Sequence, residues 1–114
     1  MAGCRLHSAH GRHNPPGQLP IDPKTGEKQL GSIEEQSEQA LDNVEAILKF
    51  AGSGLDRVIK ATLYITDIAL WEQVNVVYAR VFGEHKSARV VMPVKELHFG
   101  FQIESEVNAI QILG

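Results

Sequence analysis

The sequence predicts an α+β domain, two helices packed on one face of a mixed β-sheet, on three observations. Two segments, ending near Ala51 and Phe82, repeat apolar residues at helical spacing along one side only. Three others, Arg57 to Thr66, Ala88 to Lys95 and Phe101 to Ala109, alternate apolar and polar residues with a strand's two-residue period. Each helix then needs a sheet face to cover its stripe, which gives two layers. At 114 residues the chain fits one domain, small enough for an oligomer interface to supply much of any ligand pocket.

Residues 1–16 carry Gly3, Gly11, Pro15 and Pro16 with few apolar residues and neither periodicity, so an irregular leader is expected there, with the domain proper over 17–114. Cys4, His7, His10 and His13 are spaced by three, which on a helix would line up metal ligands. With no helix signal beneath them, a disordered His-rich leader is the favoured reading, and no metal site is assigned. From Gly17 to Gly31 a short strand, a β-turn at Asp22, Pro23, Lys24, Thr25 and Gly26 and an extended return suggest a hairpin.

The first helix starts at a capping box, Ser32 with Glu35 three residues on, and Glu34 adds negative charge at the positive end of the dipole. Ala40, Leu41, Val44, Ile47, Leu48 and Ala51 form its stripe, and Gly52 is placed to end it in a left-handed turn. The acidic run Glu34, Glu35, Glu38 and Asp42 is read as a solvated face. In the next strand Ile59, Ala61, Leu63 and Ile65 share one face, with Val58, Lys60, Thr62 and Tyr64 on the other. Asp67 can cap a second helix from about Ala69, with Leu70, Val74, Val77 and Val81 as its stripe and Gly83 as its stop. Trp71 and Asn75, four apart, share a line on it; they border a pocket, or they are a packing tryptophan beside a solvated amide.

The last two strands hold isolated charges among apolar residues. Arg89, Val91 and Pro93 alternate with Ala88, Val90 and Met92, so Arg89 is expected on the pleat opposite the more apolar face. Glu104 falls with Gln102, Glu106 and Asn108, and Ile110 inverts the phase, which suggests a β-bulge near Asn108. If the loop Lys95 to Gly100 pairs these two strands, Arg89 and Glu104 share one end of the sheet. The second sheet face, with Val58, Tyr64 and Val91, would be wet in a monomer, and a second subunit is the natural cover.

Eleven Lys and Arg against fourteen Asp and Glu leave a net charge of -3 without a long basic run, which argues against a dedicated nucleic-acid binder. Cys4 is the lone cysteine, no signal-peptide core is visible, and no stretch approaches the ~20 apolar residues of a membrane span. A reduced, cytoplasmic protein is the reading.

Several separated motifs, GQLPIDPKTGE, ILKFAG, VIKATLYITD, VNVVYARVFGEHKSAR and IESE, occur in order and at near-family spacing. On them the stretch from Gly17 to Ile112 resembles the reactive-intermediate deaminase family, RidA or YjgF. The resemblance implies a chorismate-mutase-like α+β fold, a homotrimer with a central barrel, and active sites in the clefts between subunits. It implies hydrolysis of enamine and imine acids such as 2-aminoacrylate to 2-oxo acids and ammonium, with no cofactor. Arg89, in SAR where the family usually has PAR, is similar to the arginine that holds the substrate carboxylate; Glu104 is similar to the acid that positions water and manages protons. Gly17, Trp71, Asn75 and the backbone at Val90 and Val91 match the lining of the cleft.

Two departures stand beside this. Val91 replaces a cysteine common in the family, and residues 1–16 hold no tyrosine where the family supplies one to a neighbour's site, while Pro16 stands where it has serine. The alternatives are a non-catalytic module that binds small carboxylates and an endoribonuclease or translation inhibitor. Arg89 could also be a structural bridge to Glu104 or Glu106 across the trimer interface.

Overall fold

A computed structural model of the chain describes residues 5–6, 12–14, 17–83, 85 and 88–110. The strands are β1 (Arg5–Leu6), β2 (Arg12–Asn14), β3 (Val58–Ile65), β4 (Ala88–Pro93) and β5 (Ile103–Ile110), with helices α1 (Ile33–Phe50) and α2 (Trp71–Phe82). They form one sheet in the order β1-β2-β5-β3-β4, in which only β3 and β4 run parallel. The sheet is therefore mixed. Leu41, Val44 and Leu48 of α1, Val74, Val77, Tyr78 and Phe82 of α2, and Ala61, Leu63, Ile65, Ile103 and Val107 of the strands close a single core between the two layers.

Local sequence chemistry sets the helix ends. Ser32 accepts from the Glu35 amide at 3.1 Å and its own amide donates to the Glu35 carboxylate at 3.1 Å, so the capping box forms. At the other end Gly52 takes φ 78°, and the amides of Gly52 and Ser53 reach back to Lys49 and Leu48 at 3.1 and 2.7 Å, a Schellman ending. Asp67 caps a single 3-10 turn, Ile68–Leu70, from which α2 continues at Trp71. Gly83 ends α2 at φ 60°.

Four expectations are corrected. Residues 5–6 and 12–14 are not irregular: β2 pairs with the end of β5, Arg12 opposite Ile110 and His13 opposite Ala109. A strand at 12–14 also removes the helix on which the Cys4, His7, His10 and His13 spacing depended; Cys4, His7 and His10 lie outside the described residues. The 17–31 segment does reverse around the turn as a hairpin, but its pairing is a single antiparallel bridge, Ile21 to Lys28, with the Asp22 amide donating to the Glu27 carbonyl at 2.9 Å and the Gln29 amide to the Pro20 carbonyl at 2.8 Å, and not two strands. It is tied down elsewhere, by Gln18 pairing with Ser105 and by Asn43.

The bulge lies opposite Asn108, but the extra residue is Ile59 on β3, since Val58 faces Ala109 and Lys60 faces Asn108. That insertion turns Val58 into the core at 2% exposure and leaves Ile59 at 39%, reversing the two from the alternation read over 57–66. Finally, β4 pairs with β3 and not with β5. Arg89 stands opposite Ala61 and Val91 opposite Leu63, so both face the helices, and it is the more apolar pleat, with Val90 and Met92, that is left exposed. Neither Val58 nor Val91 belongs to the open face; Tyr64 does.

The polar residues of α1 hold the irregular segments. Gln36 donates to the Gly31 carbonyl at 3.1 Å and to the Gln102 side chain at 3.2 Å, and accepts from the Gln102 amide at 2.8 Å. Buried Asn43 donates to the carbonyls of Leu19 and Ile21 at 3.1 and 2.7 Å. Removing it leaves two part-buried carbonyls without their donor. Asn43→Ala is expected to lower stability by about 1–3 kcal/mol in urea unfolding, whereas loss confined to the noise of the midpoint would mean water replaces the amide.

Candidate active site

The helix-facing half of the site is built by β4 and α2. Because Ala61 is a core residue flanked by Arg89 on one side and Val107 on the other, the Arg89 side chain is directed into the helical layer at the edge of the sheet. There its Nη1 donates to Asn75 Oδ1 at 2.5 Å, and its Cζ lies 5.9 Å from the centre of the Tyr78 ring. Trp71, Asn75 and Tyr78 sit at helical spacings of four and three, so one side of α2 presents all of them. Trp71 is partly buried and packs against the core. Asn75 is thus a partner of Arg89, not merely a solvated amide.

Among the described residues no carboxylate forms an ion pair with Arg89. A guanidinium carries five N–H donors in a planar fork, and Asn75 accepts from one nitrogen, so donors remain for an anionic ligand. Val91 follows on the same pleat, partly buried against the core, and Val90 points to the opposite face at 39% exposure.

The second half lies on the other face. Glu104 stands opposite Tyr64 of β3, between buried Ile103 and Ser105, so it projects away from the helices. Gln18 and Ser105 exchange backbone hydrogen bonds at 2.6 and 3.0 Å, which lays Gly17 along the Glu104 carboxylate. A Cβ on residue 17 would collide with that carboxylate, so the glycine is required by close approach. Glu104 is half-buried, and burial raises its pKa above the ordinary 4.5; the neighbouring Glu106 raises it further and His98 opposes the shift. Tyr64 reaches Glu106 at 3.4 Å, a long hydrogen bond, and its phenol is raised by burial and then by Glu106.

Arg89 and Glu104 therefore do not share one end of the sheet within a chain. One strand, β3, separates them, and they leave the sheet on opposite faces. The residues fall into two groups: Arg89, Asn75, Trp71 and Val91 on the helix side, Gly17 and Glu104 on the open side, with Val90 exposed on that side too. Sequence reasoning missed Tyr78 and Ser105. Tyr78 was hidden in the apolar stripe of α2, although its place three residues after Asn75 was a signal. Ser105 was visible as the polar residue on an apolar pleat.

A mainly apolar groove of about 440 Å³ runs between residues 17–23 and Asn43, Ala46, Ile47 and Phe50 of α1; neither Arg89 nor Glu104 lines it. Among the described residues no group of three or more His, Cys, Asp and Glu could hold a metal ion, and no helix is long and apolar enough to cross a membrane.

The sequence matches the Endoribonuclease L-PSP family over residues 15–111. It is 48% identical over 93 residues to a RutC family protein of Pyrococcus horikoshii, covering 82% of this chain and 74% of that one. Among solved structures, a protein from Thermotoga maritima superposes with a TM-score of 0.90 at 36% identity, covering 99% of this chain and 87% of that chain. TdcF of Escherichia coli with bound serine superposes at 0.85 with 30% identity, covering 94% of this chain and 86% of that chain.

The Glu104 shift has a sign that can be measured. An NMR titration should place its midpoint above 4.5, and Glu106→Gln should bring it only part of the way back, since burial is the larger cause. With the folded pKa above the unfolded one, this group favours folding at low pH and loses that contribution as pH rises through the folded value. Glu104→Gln should therefore raise Tm relative to the parent at pH 7, with the gap closing towards pH 4.

Proposed function

This chain belongs to the Endoribonuclease L-PSP family, also known as RidA/YjgF, and from that premise we propose that it hydrolyses small enamine and imine acids to 2-oxo acids and ammonium. The observation that carries the reading is Arg89, a half-buried guanidinium held by Asn75 and faced by Tyr78, with no carboxylate partner among the described residues. Such a fork is organised to take a planar carboxylate through two parallel hydrogen bonds. The serine bound by TdcF is a small amino acid, the same chemical class.

In this reading the enamine first tautomerises to the imine, whose carboxylate is fixed on Arg89. Water adds to the carbon of the N-protonated imine as one of its protons passes to Glu104, giving a neutral carbinolamine. Glu104 returns that proton to the nitrogen, the C–N bond breaks as the hydroxyl gives up its own proton to the departing ammonia, and the products are the 2-oxo acid and ammonium. A carboxyl with a raised pKa suits both proton steps better than an ordinary one, because it is nearer the working pH. Gly17 leaves the Glu104 carboxylate room, while Trp71, Asn75 and the backbone at Val90 and Val91 line the cleft. General acid–base help of ~10²–10⁴-fold and positioning are sufficient for substrates that also hydrolyse unaided, so no cofactor or metal is needed.

Arg89 on β4 and Glu104 on β5 leave the sheet on opposite faces, so the proposal requires Arg89 of one subunit to meet Glu104 of the next. A homotrimer with a central barrel, as in a chorismate-mutase-like assembly, provides such clefts, and exposed Val90 and Met92 on the open face favour burial against another copy. A reduced, cytoplasmic setting fits the lone Cys4. One observation favours a second reading, a binding module without turnover: residues 1–16 contain no tyrosine to close the cleft. RNA cleavage is not favoured, since a net charge of -3 offers little for tracking phosphates.

Ammonium and pyruvate release from freshly generated 2-aminoacrylate should be accelerated by the parent and fall to the uncatalysed rate in Arg89→Ala and in Glu104→Gln. Co-refolding equal amounts of the two inactive variants should recover roughly a quarter of parent activity, the share of clefts that inherit both intact groups under random assembly. No recovery from well-formed mixed assemblies would place both groups in one subunit's site. Pyruvate binding by the parent without hydrolysis would select the binding module.

A further inference from the structure

We propose that Tyr78 is a positioning residue for Arg89, held by a buried hydrogen bond to Ser105 that ties the arginine to the strand carrying Glu104. The inference deepens the reading of Arg89 as the carboxylate anchor and rests on it. Tyr78 is completely buried, with its ring 5.9 Å from the Arg89 Cζ, inside the range at which a ring face attracts a guanidinium. Asn75 holds one edge of the guanidinium and the Tyr78 ring its surroundings, which together restrict the direction of the remaining donors.

Something must in turn fix the ring. The Tyr78 hydroxyl donates to Ser105 Oγ at 2.5 Å, and both residues are at 0% exposure. Ser105 is flanked on its pleat by Ile103, Val107 and Ala109, all in the core. A hydroxyl there is unfavourable unless it is hydrogen-bonded, and Tyr78 is the group that satisfies it. The Ser105 backbone exchanges hydrogen bonds with Gln18, next to Gly17, and Glu104 precedes it in the chain. One buried contact thus joins α2 beside Arg89 to the point where Gly17 and Glu104 meet. Burial also pushes the Tyr78 phenol well up, so it remains a neutral donor at working pH.

Tyr78→Phe keeps the ring and removes its tether, Ser105→Ala removes the acceptor, and the double variant removes both. Each single change is expected to raise KM for 2-aminoacrylate, and Kd for pyruvate read from Trp71 fluorescence, about five- to tenfold, with kcat held within about twofold. The double variant should be no worse than either single one. The Arg89 Nε–H resonance, identified by its loss in Arg89→Lys, should shift or broaden in all three. A lowered Tm with parental KM, pyruvate affinity and Arg89 resonance would mean a purely structural contact and overturn the proposal, as would multiplicative losses in the double variant. If the parent binds pyruvate through Arg89 but leaves 2-aminoacrylate alone, the deaminase reading falls separately. The positioning role is then decided by pyruvate affinity and the resonance: shifts in the variants sustain it, and parental values overturn it.

Discussion

The register of β3 against its two neighbours is the constraint on which the rest depends. Ala61 is paired with Arg89 on one side and Val107 on the other, and Tyr64 with Glu104. Side-chain direction in a sheet repeats every two residues, so a slip of one on either side would carry Arg89 out of the helical layer or Glu104 into it. Ile103, Val107 and Ala109 would leave the core if β5 slipped by one, which makes that register costly to change. Hydrophobic burial thereby fixes the position of Glu104, a charge that contributes nothing to it.

What was legible in the sequence was local. The Ser32–Glu35 box, the Gly52 and Gly83 stops and the Asp67 cap are each set by chemistry within a few residues, and each formed. Strand pairing is not local. Nothing in the alternation of 88–95 says which neighbour β4 will take, and the apolar pleat with Val90 and Met92 was the natural choice for the core until β3 took Arg89 and Val91 inward. The bulge shows the same limit. β5 keeps its phase through buried Ala109, so the bulge opposite Asn108 is carried by Ile59 on β3, which the sequence of β5 cannot reveal.

Short strands escape periodicity altogether. Arg12–Asn14 is three residues long and lies among glycines and prolines, too brief for alternation to be seen; its strand identity comes from pairing with β5. The site was legible by residue and illegible by geometry. Arg89 and Glu104 could be singled out as charges in apolar company, Asn75 by its line with Trp71 and Gly17 by the family resemblance alone, whereas their division between two faces required the sheet. Tyr78 resembled any core aromatic until its hydroxyl found Ser105.

The division between faces also keeps two properties that a shared face would destroy. An arginine beside Glu104 in the same chain would lower the carboxyl pKa and occupy the guanidinium, cancelling the raised pKa and the open donors together. Separation by β3 leaves burial and Glu106 to raise Glu104, and leaves Arg89 to Asn75 and Tyr78. In the proposed cleft between subunits the two would approach, and the substrate resolves the conflict. Its carboxylate neutralises Arg89 as it binds, so the positive charge that would lower Glu104 is screened when the proton has to move. An uncharged enamine offers no such compensation. On this argument the preference for imino acids over neutral imines lies in keeping Glu104 basic as much as in the hydrogen bonds to Arg89.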